Sequence, residues 1–93
     1  MNMKELERRF IALLSHLRMV DWRDGSGRVE FILTDTRDLI EHGEPVVALE
    51  NICQNLYEFS VSISEQDLEE IKVFAKAMDM SDETWDFLNE IVA

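Results

Sequence analysis

The fold of this chain is decided by the stretch LIEHGEPVVALE at positions 39–50. Gly43 suits the left-handed residue that ends many helices, and Pro45 suits a first helical turn, where its missing N–H costs nothing. On both sides of this break, apolar residues recur every three or four positions, which is the pattern of amphipathic helices. The stretch therefore predicts two antiparallel helices that meet at residues 42–45.

The same spacing extends outward in both directions and predicts a helix over 3–17, one that begins at Val29, and a third after Pro45. Ser64 and Ser81 are expected to cap two more helices, with Asp67 completing a capping box after Ser64. Residues 29–34 are also rich in β-branched and aromatic side chains and could form a strand, but strict alternation fails there. We predict an all-α, compact bundle of about five short amphipathic helices, of about 11 to 16 residues each, in a single domain over residues 1–93.

Charge is distributed unevenly along the chain. Residues 1–28 carry 6 basic and 4 acidic side chains, whereas the residues after Arg28 carry 3 basic and 16 acidic ones. A field of that sign repels nucleic acid and anionic membrane and speeds encounter with a basic protein. We therefore expect a protein partner, with no nucleic acid and no membrane bound. A plain role of the acidity in solubility stays open.

Candidates for chemistry are few. No recognised metal-ligand spacing surrounds His16 or His42, which are expected to be solvated or capping residues. Cys53 lies on an apolar stripe and is expected to be a buried structural thiol, since a nucleophile needs exposure and a base. The sequence contains no glycine-rich phosphate loop with a lysine and no calcium loop. We expect no enzyme activity, no cofactor and no metal.

The sequence also bears on the compartment. Residues 1–9 are charged and do not resemble a secretory signal, and no stretch approaches the about 18 apolar residues of a membrane span. The single Cys53 has no second cysteine for an internal disulfide. We expect a cytoplasmic protein.

Two aromatic side chains have alternative interpretations. Trp22 lies in the glycine-rich segment 21–27, which is typical of a loop, and could cover the core or anchor a partner; we favour core cover. Tyr57 lies at the edge of an apolar stripe and is a candidate aromatic anchor. Met3 and Met78 fall on the core stripes, which favours core filler over a methionine-rich groove.

Acidic residues along the predicted hairpin are the main candidates for partner binding. They could form one continuous negative patch, or belong to an evenly solvated acidic shell, and spacing alone does not separate these arrangements. The predicted partner-binding residues are Asp35, Asp38, Glu41, Glu44, Glu50, Tyr57 and Glu58.

Part of this sequence resembles the MafI-type immunity proteins of bacterial polymorphic toxin systems. The residues that carry the likeness are HGEPVVALENICQNLYE at 42–58, Ile63-Ser64, and WDFL at 85–88, within a region from about 39 to 92. The resemblance implies a small cytosolic inhibitor in contact-dependent growth inhibition, which binds a cognate toxin domain, commonly a nuclease, and protects the producing cell.

The favoured hypothesis is thus a non-enzymatic immunity protein whose carboxylates pair with arginine and lysine in a toxin's substrate groove. A nuclease fits the charge, because it must be basic to hold phosphates. The alternative is an acidic helical adaptor or regulator that binds a basic peptide or protein, which an exposed apolar groove beside the acidic patch would favour. A monomer or a weak homodimer is compatible with the sequence.

Overall fold

Four α-helices and two 3-10 helices form the fold in a computed structural model that describes residues 1–23 and 27–93. The α-helices are α1 (Met3–Leu17), α2 (Arg28–Glu41), α3 (Pro45–Glu58) and α4 (Glu65–Ala77). The 3-10 helices span Asp82–Thr84 and Asp86–Ile91, and we call residues 81–92 the 3-10 segment. The predicted all-α class is confirmed. Part of the predicted loop, residues 24–26, lies outside the described residues.

The turn between α2 and α3 has the predicted geometry. Gly43 adopts a left-handed conformation with φ of 78°. Its N–H donates to the carbonyl of Ile40 at 3.1 Å, and the N–H of Glu44 donates to the carbonyl of Leu39 at 2.8 Å. This pair of bonds is a Schellman motif, which satisfies two carbonyls that the helix end would otherwise leave without a donor. Pro45 then starts α3.

The helices form a ring in which α1 and α3 each contact both α2 and α4, and the 3-10 segment packs on α3 and α4. Apolar stripes from all four helices meet in one core. Phe10 of α1 stacks on Phe74 of α4 with ring centroids 5.2 Å apart. Cys53 is fully buried in this core, as predicted.

Polar pairs tie α1 to its two neighbours. Arg9 pairs with Glu70 of α4, and Arg18 pairs with Glu30 of α2. His16 Nδ1 lies 2.8 Å from an oxygen of Asp67, which is buried and also accepts from the N–H of Ser64 in the predicted capping box. Basic side chains of residues 1–28 are therefore partly used inside the molecule.

Trp22 covers one end of the core, which confirms the favoured interpretation. Its side chain is only 4% exposed. The indole Nε1 donates to the carbonyl of Leu17 at 2.8 Å, and the ring packs edge-on against Phe59. The guanidinium of Arg28 in turn lies 5.6 Å from the Phe59 ring centre. These contacts fasten the start of the connection between α1 and α2.

A last helical segment follows Ser81, as predicted, but it is shorter than the expected length of about 11 to 16 residues and is wound as two 3-10 helices, Asp82–Thr84 and Asp86–Ile91. Trp85, Leu88 and Ile91 are spaced by three, the period of a 3-10 helix, so this winding turns all three toward the core. The segment is fastened at Ile63, whose N–H donates to the carbonyl of Ile91 at 3.3 Å and whose carbonyl accepts from Ala93 at 2.9 Å. Lys72 of α4 also lies over Trp85, 4.8 Å from the ring centre.

Two residues placed on core stripes by spacing are exposed in the structure. Met3 is 53% exposed at the first turn of α1, and Val46 is 40% exposed at the first turn of α3. Both residues lie in the first turn of a helix. The apolar stripe of each helix continues into that turn, beyond the part that the neighbouring helices cover. Within residues 1–23 and 27–93, no helix is long and apolar enough to cross a membrane.

Candidate partner-binding surface

An exposed row of acidic residues runs along α2. The buried side chains of this helix are Ile32, Leu33, Thr36 and Ile40. Asp35, Asp38 and Glu41 are all exposed, and their spacing of three places them along one side of the helix. We call these three residues the α2 acidic stripe.

The members of this stripe differ in their partners. Glu41 lies 3.6 Å from Arg37 in an exposed ion pair, whereas Asp35 and Asp38 form no ion pair with a described residue. Below them at the turn, Glu44 is exposed and its side chain makes no capping hydrogen bond to α3. His42 Nδ1 lies 2.7 Å from the Asp38 carbonyl oxygen, in the predicted capping position. Asp35 and Asp38 are thus the most available carboxylates of α2.

Phe31 adds an apolar side chain beside the α2 acidic stripe. Phe31 lies four residues before Asp35, and its side chain is 75% exposed. Residues four apart are neighbours on a helix surface. An aromatic ring next to carboxylates is a common composition for a binding surface, because it offers contact area at a low cost in side-chain entropy.

The predicted residues of α3 lie on a different side of the hairpin. Asn51 marks the side of α3 that faces α2, because its Nδ2 donates to Oγ1 of Thr36 at 3.2 Å. Glu50 and Tyr57 instead face the 3-10 segment. Glu58 is exposed at the last residue of α3 and, like Glu50, forms no ion pair with a described residue. The structure therefore brings Asp35, Asp38 and Glu41 together, and separates them from Glu50 and Tyr57.

Tyr57 is held by the 3-10 segment while remaining 41% exposed. Its ring meets Phe87 edge-on with centroids 5.2 Å apart, and its hydroxyl donates to Oε1 of Glu90 at 3.2 Å. The hydrogen bond to Glu90, followed by the negative charge of that carboxylate, raises the pKa of Tyr57. The phenol is therefore neutral and fixed in direction, which suits an aromatic that packs against a partner.

A groove of about 370 Å³ opens between α3 and the 3-10 segment. We call it the α3 groove. It combines acidic, uncharged polar and apolar side chains; its lining consists of Glu50, Gln54, Met80, Ser81, Glu83, Thr84 and Phe87.

The described part of the chain has one cysteine thiol, that of Cys53, and it is buried. Burial raises the pKa of Cys53 to about 12, so the thiol stays protonated near neutral pH. Among residues 1–23 and 27–93, no three His, Cys, Asp or Glu side chains are grouped to hold a metal ion. The exposed groups can instead make ion pairs, hydrogen bonds and apolar contacts with another protein.

Sequence reasoning missed several residues of these surfaces. Glu83, Met80 and Phe87 reach α3 from a segment about 30 positions further along the chain, and helical spacing does not report such a contact. Phe31 had a detectable signal: it lies two positions before Leu33 and one before Ile32, outside the apolar stripe that those residues define.

Comparison with protein-family models, with curated proteins and with solved structures finds no match to this chain.

Proposed function

We propose that this protein is an immunity protein that binds a cognate bacterial toxin domain, expected to be a basic nuclease, and neutralises it. The proposal rests on one observation above all: α2, α3 and the turn between them expose carboxylates that no described cationic side chain pairs with, at Asp35, Asp38, Glu44, Glu50 and Glu58. The resemblance of residues 39–92 to MafI-type immunity proteins supports the functional class.

The distribution of cations supports an external partner for these carboxylates. Arg9, Arg18 and Lys72 are paired with glutamates inside the molecule, and α3 contains neither lysine nor arginine. A nuclease supplies the complementary charge, because its substrate groove must attract phosphates. The carboxylates would occupy that groove and exclude nucleic acid from it.

Charge also supports rapid capture. Attraction between surfaces of opposite sign raises association rates above those of neutral surfaces and falls as salt increases. Charge pairs that lose their water at the centre of an interface can couple by several kcal/mol. An inhibitor of a lethal toxin benefits from both effects.

The first test is coexpression in bacteria with the toxin domain encoded immediately upstream of this gene. We expect the cells to survive and the two proteins to copurify as a complex without nuclease activity. Cell death and the absence of a complex, with a toxin domain shown separately to be folded and active, would exclude that pairing.

The α2 acidic stripe can then be tested by association kinetics. The variant Asp35→Asn/Asp38→Asn removes two unpaired carboxylates, and Glu41 is left intact because it pairs with Arg37. We expect association at low salt to slow about tenfold. A matched control, Glu7→Gln/Glu65→Gln on α1 and α4, removes two carboxylates that also form no ion pair with a described residue, and it is expected to have a smaller effect. Equal effects would show that only total charge matters and not this stripe.

A second candidate function is an acidic adaptor that binds a basic peptide or protein. The observation that favours it is the α3 groove, where apolar Met80 and Phe87 lie beside Glu50 and Glu83. Gene order separates the two functions. An immunity gene should lie directly downstream of a large toxin gene or a toxin-domain cassette, whereas an adaptor gene need not.

A further inference from the structure

The α3 groove contains two carboxylates that lie on opposite walls. One wall is α3, which contributes Glu50 and Gln54, and the other is the 3-10 segment, which contributes Ser81, Glu83 and Thr84. Two carboxylates therefore reach the same groove from separate elements. Each is exposed and forms no ion pair with a described residue.

The cation that would balance these carboxylates is absent from both walls. Neither α3 nor residues 81–92 contains a lysine or an arginine. Of the two lysines on the neighbouring helix α4, Lys72 is occupied by Glu69 and by the ring of Trp85, and Lys76 neither lines the groove nor pairs with its carboxylates. Charge complementarity thus calls for a positive group from outside the chain.

The apolar surface of the groove favours arginine over lysine as the cation that binds there. Met80 and Phe87 are both half-buried and line it together with the carboxylates. Arginine combines an apolar stem with a planar guanidinium that has five donors and can serve two carboxylates at once. A lysine ammonium is a compact, strongly hydrated charge and uses such a site less well.

The groove is large enough to admit a side chain of a partner. The groove encloses about 370 Å³. That volume is at the low end of the range of about 300–1,000 Å³ for small-molecule sites. Tyr57 does not line the groove, but its ring packs edge-on against Phe87, which does.

We propose that the α3 groove receives an arginine side chain of a basic protein partner, with Glu50 and Glu83 as the two acceptors of its guanidinium. This inference deepens the proposed function and rests on it only for the identity of the protein that supplies the arginine. It also assigns roles to Glu83, Met80 and Phe87.

The test is an amide NMR titration of the full chain with N-acetyl-arginine methylamide. We expect saturable shifts at residues 50, 54 and 80–87, with a dissociation constant on the order of a few millimolar. The lysine analogue should bind at least about threefold more weakly. The uncharged citrulline analogue, which matches arginine in shape, should give no saturable shifts at these positions.

Variants decide whether the groove carboxylates are responsible. Glu50→Gln/Glu83→Gln should weaken binding about tenfold. Glu7→Gln/Glu65→Gln removes the same charge from outside both the groove and the α2 acidic stripe, and it should leave the affinity within about twofold. Equal binding of lysine and arginine, saturable shifts with citrulline, the largest shifts on α2, or unchanged affinity of the groove variant would each overturn the proposal.

The proposal and the immunity function can fail separately. Groove binding of the arginine probe with no protection in coexpression would leave the groove assignment standing and exclude the toxin pairing. Protection by the natural chain with no saturable groove shifts would leave the immunity function standing and exclude the arginine site in the groove. If both hold, Glu50→Gln/Glu83→Gln should also speed dissociation of the toxin complex, and unchanged dissociation would place the partner's arginine elsewhere.

Discussion

Backbone conformation at three single residues determines how three helices end. Gly43, Ser60 and Asp79 each follow a helix with a positive φ, at 78°, 51° and 55°. All three sites have the paired hydrogen bonds of a Schellman motif. Only the first uses glycine, the residue that adopts this conformation without steric cost.

Substitutions at these sites should have opposite effects. A Cβ at position 43 would meet nothing within 4 Å, so Gly43→Ala tests backbone strain alone and should lower the free energy of unfolding by about 1 kcal/mol. Ser60→Gly relieves the same strain and should raise the free energy of unfolding by about 0.5 kcal/mol. This gain is smaller than the loss at Gly43 because glycine gains more backbone entropy on unfolding. Urea denaturation measures both. A neutral Gly43→Ala would contradict the assigned motif.

Cys53 makes the stability depend on pH. Burial raises the pKa of its thiol from 9.0 to about 12, so above pH 9 the unfolded thiol ionises while the folded thiol stays neutral. The contribution to stability is complete below pH 9 and is lost as pH rises toward 12. Between pH 7 and pH 10 it should decrease by about 1 kcal/mol.

The measurement is the free energy of unfolding at pH 7 and pH 10, in the natural chain and in Cys53→Ala. The variant has a lower stability at both pH values because of the cavity, but it should lose about 1 kcal/mol less over this interval. Lysine and tyrosine titrate in both proteins and cancel in the comparison. Identical losses would mean that the thiol is accessible to water.

Among the elements, α4 has the best-defined start. The Ser64 hydroxyl accepts from the N–H of Asp67 at 3.0 Å, and an Asp67 oxygen accepts from the N–H of Ser64 at 3.2 Å. Ser64→Ala should therefore lower the free energy of unfolding by about 1 kcal/mol. Ser81→Ala removes a single cap from a short 3-10 helix and should cost about half as much.

Ser62→Ala is the matched control for these caps. Ser62 is exposed and its hydroxyl makes no hydrogen bond to a described residue, so the free energy of unfolding should stay within about 0.5 kcal/mol. Thermal or urea unfolding of the three variants gives the comparison. A loss at Ser62 as large as that at Ser64 would show that the capping box contributes nothing specific.

The elements also show what spacing can and cannot predict. The stripes of α1 to α4 are long enough for a 3.6-residue period to be distinguished. The turn at Gly43 and the capping box at Ser64 have local causes, namely the missing Cβ of the glycine and the hydroxyl of the serine. The 3-10 segment is different, because Trp85, Leu88 and Ile91 fit both a 3-10 period and an amphipathic α-helix. Only packing on α3 and α4 selects between them.

At the scale of the whole molecule, net charge opposes folding. The formal charge of the chain is −11, and folding brings its carboxylates closer together. Salt screens the repulsion that results. Raising sodium chloride from 50 to 500 mM should increase the free energy of unfolding by about 0.5–1 kcal/mol. Urea titrations at the two salt concentrations test this.

Asp35→Asn/Asp38→Asn is the informative variant for the salt effect. It reduces the repulsion by two charges, so it should be more stable at 50 mM salt and should gain less from added salt. A natural chain whose stability falls with salt would show that internal pairs such as Arg9–Glu70 outweigh the repulsion.

The candidate surface was predictable only in part, for a reason that belongs to the assembled molecule. Helical spacing correctly placed Asp35, Asp38, Glu50 and Glu58 in solvent, since exposure depends mainly on a residue's own helix. Which exposed residues lie together depends on the neighbouring elements. Asn51 contacts α2 while Glu50 lines the α3 groove, although the two are adjacent in sequence.

The two tryptophans give this small protein a pair of built-in optical probes. Trp22 is enclosed by Leu17 and Phe59, whereas Trp85 lies half-buried under the ammonium of Lys72. Their indole fluorescence therefore reports on separate regions, and Trp22→Phe and Trp85→Phe isolate each signal. If the two fluorescence transitions coincide during unfolding, the protein unfolds as one cooperative unit. An earlier transition at Trp85 would show that the 3-10 segment separates from the helices before they unfold.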